Sequence, residues 1–393
     1  MNDDSTQGRS RIMSLLEAAQ HMATGYAEIY PGGQPVTMPS PRIVGPGRCP
    51  PIQGVTRKVF LAAFHDAVVR SRFDGIEVSG RMLFDYQGRE IDNIVAECPR
   101  DKFFCDGTDV FALHQAPFGP TIDIPEALML VGNNSVNFGH WWIEHLLQVA
   151  TVADRPELRG VPIVIDADLP ASHRQALEYF TGGAAPVIEL PQGAAARVRR
   201  LWKASNWIYV PFYWSREEAI QHEFIVWPLD EVAARFRKLG SAIHLNLSDS
   251  PFSKRVFLSR RHTFHRKLVN LKEIEEIARG WGFEIYNPED LDFVNQLRLI
   301  AGASHIIGPE GSAFFLALFG KEGAELCAFD HPFIEKVGYA AALYPKFGIK
   351  LLFLTGNCVR KDTQFIGFSD YLIDPSDVER VLSEWDLRAP HVA

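Results

Sequence analysis

The stretch that decides the fold runs from Arg255 to Pro288 and reads RVFLSRRHTFHRKLVNLKEIEEIARGWGFEIYNP. It contains an apolar run of strand length, a basic segment, a helical pattern ended by glycine, and a second apolar run. One face of the helical pattern is apolar and carries Leu271, Ile274, Ile277 and Ala278. This order predicts a right-handed strand–helix–strand unit on a parallel sheet.

The same alternation continues on both sides of this stretch. DFVNQLRLIAGA, HIIGPEG, SAFFLALFG and ELCAFD follow it as helix, strand, buried helix and strand, and ALMLVG, VPIVID and ASHRQALEYFTGG precede it as strand, strand and helix. Between residues 55 and 131 short apolar runs broken by turns indicate further strands. The sequence therefore predicts an α/β fold.

Composition limits the classes of protein to which the chain can belong. With 393 residues, of which 47% are hydrophobic and 22% charged, the chain fits two globular domains. The net charge of −8 disfavours a broad nucleic-acid groove. Five scattered cysteines argue against a disulfide framework and a structural zinc site. Neither a secretory signal nor a transmembrane run is evident, so we expect a cytoplasmic protein, with peripheral membrane contact left open.

A basic segment follows the strand RVFL. The carboxyl ends of parallel strands are where ligands bind in doubly wound sheets, and arginine forks suit phosphate oxygens. The segment is thus a candidate diphosphate site, and the alternative is a solvated basic loop. Its candidate residues are Ser259, Arg260, Arg261, Arg266 and Lys267.

A second candidate is GPEGSAFF, which follows the strand HII. Gly308 and Gly311 allow a close approach of the backbone to a ligand, and a helix beginning near Ser312 offers free N–H groups to a phosphate. Glu310 would accept hydroxyl groups, as from a ribose. The alternative is that Glu310 only interacts with the helix dipole.

The third candidate is VNFGHWWIEHLLQVA, residues 136–150. At 100° per residue one broad face is aliphatic, while His140 and Glu144 lie one turn apart on another. A histidine and a carboxylate within reach of each other are general-base material. The alternative is a surface helix in which the two side chains only pair with each other.

Three weaker signals are marked down. Asp166 and Asp168 in DAD resemble a metal-binding motif, but a plain loop is commoner. His262 and His265 in HTFH lack a third ligand, so zinc is disfavoured. An aromatic run could stack on sugar rings but is more typical of core or domain interface, and comprises Trp202, Trp207, Tyr209, Phe212, Tyr213 and Trp214.

Together these motifs resemble glycosyltransferase family 61, whose bacterial members are of the capsular-polysaccharide-biosynthesis (DUF563-like) type. The resemblance covers roughly residues 127–329 and is stronger in its second half. NFGHWWIEHLLQ is similar to the family's N-terminal helix. Glu310 departs from the family's pattern, which often has histidine there. The matching positions in the second half are Ser259, Arg260, Arg261, Arg266, Asn270, Gly282, Phe283, Glu284, Gln296, Gly308 and Gly311.

The resemblance implies a GT-B architecture, in which two Rossmann-like domains face each other across a cleft. It also implies inverting transfer from a nucleotide sugar, UDP-linked, to a glycan or glycoconjugate in polysaccharide biosynthesis, with no cofactor and no essential metal. Arg260, Arg266 and their neighbours would hold the donor diphosphate. Glu144 is the preferred base, with His140 orienting it or sharing the proton. The acceptor-side candidates are Asn137, Trp141 and His145.

These expectations predict how the chain divides into domains. Residues 1–35 form an N-terminal leader of uncertain structure, and residues 36–222 form the acceptor-side α/β domain. Residues 223–356 form the nucleotide-sugar-binding Rossmann-like domain. Residues 357–393 carry a final helix that packs back on the N-terminal domain.

Two other functions compete with this interpretation. A nucleotide-sugar-binding protein without catalysis would keep the pocket and lose the base, and the altered position at Glu310 keeps that alternative open. A dehydrogenase is disfavoured, because no GxGxxG follows a strand with an acidic residue about twenty positions later.

Overall fold

The computed structural model describes residues 9–91, 103–106, 109–113, 119–209, 222–242, 250–261, 263–334, 338–362, 366–385 and 387. The chain forms two compact units. Unit 1 comprises Met1–Pro35 and Val55–Trp227, and unit 2 comprises Val36–Gly54 and Pro228–Ala393. Each unit combines helices with a sheet, and both parallel and antiparallel strand pairs occur. The prediction of an α/β fold is confirmed.

The strands of the described residues are numbered in chain order. They are β1 (Arg9–Ser14), β2 (Gly25–Tyr30), β3 (Pro35–Met38), β4 (Arg42–Val44), β5 (Ile52–Val55), β6 (Val59–Arg70), β7 (Ile76–Val78), β8 (Arg81–Phe84), β9 (Phe103–Asp106), β10 (Asp109–Leu113), β11 (Thr121–Met129), β12 (Ile163–Asp166), β13 (Val187–Leu190), β14 (Ala195–Ala204), β15 (Arg255–Leu258), β16 (Glu284–Tyr286), β17 (His305–Pro309), β18 (Glu325–Asp330), β19 (Lys350–Thr355), β20 (Asn357–Arg360) and β21 (Asp370–Leu372).

The helices are identified by their residue ranges. One continuous helix has α turns at Phe138–His140 and Leu147–Val152 on either side of a π-helical segment, Trp141–Leu146. The other α-helices are Leu15–His21, Ala171–Thr181, Leu229–Ala242, Leu271–Gly280, Phe293–Gly302, Gly338–Ala341 and Pro375–Glu384. The 3₁₀ helices are Pro156–Leu158, His222–Phe224, Pro288–Asp290, Ser312–Phe319, Tyr344–Phe347 and Ile366–Phe368.

The sheet of unit 1 has the strand order β13-β12-β11-β14-β6-β7-β8-β1-β10-β9, and β2 pairs with β6. Its first four strands are parallel. The chain runs outward from β11 through β12 to β13 and then returns to the other side of β11 as β14. The strand order therefore reverses between β11 and β14. At such a reversal the connections after the two strands diverge and leave a crevice at their carboxyl ends.

The sheet of unit 2 has the order β16-β15-β17-β18-β19-β4 and is parallel throughout. The chain passes from β15 outward to β16 and returns to the opposite side of β15 as β17. The reversal of strand order therefore lies between β15 and β17. This strand order is one of the two common doubly wound orders, and in both of them ligands bind where the strand order reverses.

Local sequence explains most of these elements. The helix Leu271–Gly280 buries Ile274 and Ala278 in the core of unit 2, as its apolar face predicts. Gly182 ends the helix Ala171–Thr181 in a left-handed conformation, with φ of 61°. SAFFLALF forms a 3₁₀ helix where the sequence predicts an ordinary buried helix. Trp202, Trp207 and Tyr209 are buried, as expected for core residues, whereas Phe212, Tyr213 and Trp214 lie outside the described residues.

The two compact units divide the chain differently from the predicted domains. The predicted leader supplies β1 and β2 to the sheet of unit 1. Residues 36–54 belong to unit 2, because β4 pairs in parallel with β19. The final helix also belongs to unit 2, where Val378, Val381 and Leu382 pack in its core. Pairing between strands that are distant in sequence decides each of these differences.

The close approach of β15 and β17 predicts that Gly308 tolerates no side chain. Its φ is +146°, and a Cβ there would lie 2.2 Å from the carbonyl oxygen of Leu258. We expect Gly308→Ala to lower the free energy of unfolding by about 2–5 kcal/mol, from overpacking and backbone strain. Gly280→Ala, where a Cβ meets nothing within 4 Å, is the matched control, and should stabilise by up to about 1 kcal/mol. Urea unfolding of both variants measures the difference, and equal stabilities would contradict the strand-packing role.

Candidate functional site

The helix 138–152 begins beside the strand-order reversal of unit 1, after the loop that follows β11. Asn137 caps the helix, because its Oδ1 accepts hydrogen bonds from the backbone N–H groups of Gly139 and His140. The next segment is π-helical, and π-helical turns are frequent at functional sites. Its residues are buried on every side, so the helix is not a surface helix, although the pairing of His140 with Glu144 that this alternative assumed is present.

His140 and Glu144 contact each other directly, Nδ1 against Oε1. The His140 side chain is 17% exposed and that of Glu144 is 10% exposed, so the pair lies at the edge of the buried helix. Burial disfavours charge on His140, but the Glu144 carboxylate, with a smaller contribution from Asp74, outweighs it and raises the pKa of His140. The two side chains therefore share a proton that binds more tightly than on an isolated histidine.

A buried polar chain crosses the strand-order reversal of unit 1. Lys203, the second-last residue of β14, donates from Nζ to Gln148 Oε1 at 3.1 Å. Gln148 Nε2 donates to Asn206 Oδ1 at 2.8 Å and to the backbone carbonyl of Glu144. Burial lowers the pKa of Lys203, while Asp85, Asp74 and Glu144 act in the opposite direction. These hydrogen bonds therefore hold the helix that carries the His–Glu pair against β14.

The acceptor-side candidates Trp141 and His145 are both buried. Their rings stack with centroids 5.1 Å apart, and Trp141 also lies against His173. Neither ring nitrogen of His145 makes a well-formed hydrogen bond within the described residues. Burial, reinforced by Lys203 and His140, lowers the pKa of His145 well below its ordinary value. These two side chains support the site from within.

The two aspartates of DAD have separate partners. The Asp166 carboxylate accepts from the backbone N–H groups of Arg72 at 2.7 Å and Gly132 at 3.1 Å, and from Ser135 Oγ at 2.7 Å. Asp168 is bound by the Arg72 guanidinium at 3.0 and 2.7 Å. Asp166 therefore ties the loop between β6 and β7 to the loop after β11. Within the described part of the chain, no group of three or more His, Cys, Asp or Glu side chains is arranged to hold a metal ion.

In unit 2 two guanidinium groups meet at the strand-order reversal. Arg260 follows β15 and donates to the backbone carbonyl of Glu310, just after β17. Arg266 pairs with the Glu310 carboxylate. Burial and the charge of Arg266 lower the pKa of Arg260. For Arg266 burial acts in the same direction, but Glu310 and Asp330 outweigh it and its pKa is raised. Glu310 therefore contacts both arginines, Arg260 through its backbone carbonyl and Arg266 through its carboxylate.

The other predicted donor residues are placed differently. Ser259 Oγ donates to Glu275 Oε1 at 2.7 Å, and Arg261 pairs with Glu275 Oε2 at 3.0 Å, so both face the helix Leu271–Gly280. Lys267 is exposed, and its backbone N–H donates to Asp370. Ser312 begins the 3₁₀ helix.

The two glycines of the second motif have different neighbours. A Cβ on Gly311 would meet the Arg260 side chain at 3.2 Å, so the bare backbone of Gly311 gives room to that guanidinium. The corresponding position at Gly308 faces Leu258 of the neighbouring strand instead. Of the predicted donor residues, Arg260, Arg266, Glu310 and Gly311 are the ones that the structure brings together.

Sequence reasoning missed several polar residues at both sites. In unit 2 Asp330 ends β18, is 1% exposed, and its Oδ2 has no hydrogen-bond partner within the described residues. In unit 1 Asp74 and Lys203 were missed. Lys203 could have been found from the sequence, because a lysine near the end of an apolar strand is unusual. Asp74 lies in an ordinary turn sequence and gives no such signal. His265 stacks on Phe368 with centroids 4.4 Å apart, and His262 lies outside the described residues.

The His140–Glu144 pair and the arginine cluster both lie in a region that matches a known family. The model of the family described as Glycosyltransferase 61 matches residues 138–327. This region belongs to glycosyltransferase family 61. The resemblance proposed from the motifs is confirmed, and the matched region begins with the helix of the His–Glu pair and includes the arginine cluster. No curated protein matches the chain. The described helices include none long and apolar enough to cross a bilayer.

The hydrogen bonds of Asp166 predict that it is a structural clamp. We expect Asp166→Asn to lower the free energy of unfolding by about 2–4 kcal/mol, because an amide cannot accept all three hydrogen bonds and places a donor against other donors. Asp168→Asn removes only the exposed ion pair with Arg72 and should cost less than about 1 kcal/mol. Urea unfolding of the two variants checks the prediction, and similar losses for both would show that Asp166 has no special role.

Proposed function

We propose that this protein is an inverting glycosyltransferase that moves a sugar from a nucleotide-sugar donor, UDP-linked, to a hydroxyl group of a glycan or glycoconjugate. The observation that carries the proposal is the pair of guanidinium groups, Arg260 and Arg266, at the strand-order reversal of a parallel sheet within the family 61 region. Two adjacent forks at that position suit the two phosphates of a nucleoside diphosphate.

In the proposed reaction, unit 2 binds the donor and unit 1 supplies the base. The acceptor oxygen attacks the anomeric carbon as its proton passes to the His140–Glu144 pair. The bond between the anomeric carbon and the phosphate oxygen breaks, and the electron pair leaves with the nucleoside diphosphate. Arg260 and Arg266 would stabilise the charge that develops on this leaving group. A GT-B arrangement of the two units is part of the proposal.

Charge compensation by arginine is the reason to propose that no metal ion is essential. The same cations neutralise the departing diphosphate that a divalent ion would otherwise bind. The role in polysaccharide biosynthesis and the cytoplasmic location expected from the sequence also remain predictions, and glycan analysis and fractionation of a deletion strain would test them.

The second candidate function is nucleotide-sugar binding without catalysis. The Glu310 carboxylate favours it, because it fills part of the anion site that a transferase would keep for the donor. Slow hydrolysis of the donor, lost in a Glu144 variant, would distinguish a transferase from a binding protein.

The arginine cluster predicts selective binding of a nucleoside diphosphate. In a thermal-shift panel of UDP, GDP, CMP, ADP and the matching nucleotide sugars, one diphosphate should raise the unfolding temperature, with or without magnesium. Arg266→Ala should weaken that affinity by about 10–100-fold, the loss expected for a charge-assisted hydrogen bond. Arg266→Lys keeps the charge but loses the forked guanidinium, so its affinity should lie between those of the wild type and Arg266→Ala. Arg380→Ala, on the exposed side of the final helix, is the control, and unaltered affinity in the Arg266 variants would refute the phosphate role.

The His140–Glu144 pair predicts the pH dependence of transfer. The active base is the deprotonated pair, so the rate should fall as the pH drops through a pKa above the ordinary histidine value of 6.5, because Glu144 raises the pKa of His140. Glu144→Gln should lower kcat by at least about 100-fold and spare donor affinity. His140→Gln should move the acid limb to lower pH. Glu157→Gln, an exposed site in the same unit, is the control, and full activity of Glu144→Gln would remove the pair from the mechanism.

A further inference from the structure

Asp74 lies in the loop between β6 and β7, which is fixed to the rest of unit 1 on both sides. The backbone N–H of Arg72 donates to Asp166 Oδ1 at 2.7 Å, and Ser71 Oγ accepts from the backbone N–H of Gly193 at 2.9 Å. The loop therefore has a defined position. It carries Asp74 to the loop that precedes the His140–Glu144 helix, although the two are distant in sequence.

The Asp74 carboxylate lies over this second loop, beside the proposed base. Its Oδ1 accepts from the backbone N–H of Asn133 at 3.1 Å. A Cβ built on Gly132 would lie 2.6 Å from Asp74 Oδ1 and 2.9 Å from His145 Cε1, so the carboxylate and the imidazole border the same small space. Asp74 as a residue is half-buried.

The surroundings of Asp74 do not favour a negative charge. Within the described residues no cation lies within ion-pair distance of its carboxylate. The nearby carboxylates of Glu144 and Asp166 repel it, and Lys203 attracts it only from a longer distance. An asparagine could accept the same hydrogen bond from Asn133. The structure of the loop therefore does not require a carboxylate at this position. A carboxylate held in such surroundings is instead typical of a group that binds a ligand.

The electrostatics of this group agree with the geometry. Burial, and next the charge of Glu144, raise the pKa of Asp74 from 3.8 to about 7, against the opposing effects of the Asn133 N–H and Lys203. Near neutral pH the carboxyl group can thus accept a hydrogen bond or donate one. The titratable groups around it are Glu144, Asp166, Lys203, His140 and His145.

We propose that Asp74 binds a hydroxyl or amino group of the acceptor beside the attacking hydroxyl, and that the acceptor is a neutral or amino sugar rather than an acidic one. The inference rests on the proposed function. Its reason is the charge around Asp74: the carboxylates of Glu144 and Asp166 lie near it and outweigh the attraction of Lys203, so a carboxylate or phosphate on the acceptor would meet more repulsion than a neutral group. A hydroxyl or ammonium group would instead donate a hydrogen bond to the Asp74 carboxylate, which accepts one from Asn133.

The first test needs no substrate. Since the pKa of Asp74 is raised in the folded state from 3.8 to about 7, the stability that this group contributes is complete below the unfolded value and is lost as the pH rises from there to about 7. Asp74→Asn should therefore come close to the wild type at pH 4, near the unfolded pKa, and unfold at a higher temperature than the wild type at pH 8. Asp123→Asn, an exposed site on β11, should show no such dependence. An Asp74→Asn variant that is less stable at both pH values would mean a structural role and overturn the inference.

The second test compares acceptors that differ in one group: methyl glucoside, methyl glucosaminide and methyl glucuronide. Release of the nucleoside diphosphate from the donor should rise at least tenfold more with the first two than with the glucuronide. Asp74→Asn should raise the acceptor KM at least tenfold and leave donor affinity unchanged. Equal or stronger stimulation by the glucuronide, stimulation by none of the three, or an unchanged acceptor KM would contradict the inference.

The two failures can be told apart. If no nucleotide binds, the proposed function fails, and the pH dependence of the Asp74→Asn stability still reports on the site itself. If a nucleotide binds and turnover is intact but the Asp74 variant behaves as the wild type, this inference alone fails.

Discussion

The reversal of strand order in each parallel sheet is the constraint on which both candidate sites depend. In unit 1 the chain leaves β11 on one side and returns on the other as β14, and in unit 2 it does the same around β15 and β17. The loops after these strands diverge, so polar side chains can meet there without being covered by a crossover helix. Lys203 and Glu144 approach each other for this reason, and so do Arg260 and Glu310.

Local periodicity was enough to predict the strands and α-helices between Arg255 and Asp330, because each has its own apolar pattern, but it did not predict the 3₁₀ geometry of SAFFLALF. It could not predict that residues 36–54 join unit 2, since the parallel pairing of β4 with β19 leaves no mark on either segment alone. The π-helical segment Trp141–Leu146 could not be predicted from the sequence either, because placing residues at 100° intervals around a helix axis assumes an α-helix. Asp74 shows the same limit for sites, because its chemistry comes from neighbours that only the tertiary fold supplies.

The two sites differ in how their charges are compensated. In unit 2 Arg266 has a carboxylate in contact, and Arg260 binds the neutral carbonyl of the same residue. In unit 1 the Asp74 carboxylate accepts a hydrogen bond from the backbone N–H of Asn133. Burial and repulsion from Glu144 both disfavour its negative charge. Asp166, buried more deeply, satisfies its charge with three hydrogen bonds and fixes the loops. A rigid clamp of this kind can hold an unfavourable carboxylate in place, since the loop cannot move to relieve the repulsion.

Glu310 has two opposing effects on the binding of a diphosphate. Its carboxylate competes with phosphate for Arg266, which weakens binding. Its side chain and backbone carbonyl also hold Arg266 and Arg260 in one geometry before a ligand arrives, which removes part of the entropy cost of ordering two long side chains. Within the described residues no carboxylate pairs directly with Arg260, and burial, followed by repulsion from Arg266, lowers its pKa. In the proposed site an incoming phosphate would relieve that repulsion at Arg260 and would replace Glu310 as the partner of Arg266, so both guanidinium groups would contribute to the affinity for a diphosphate.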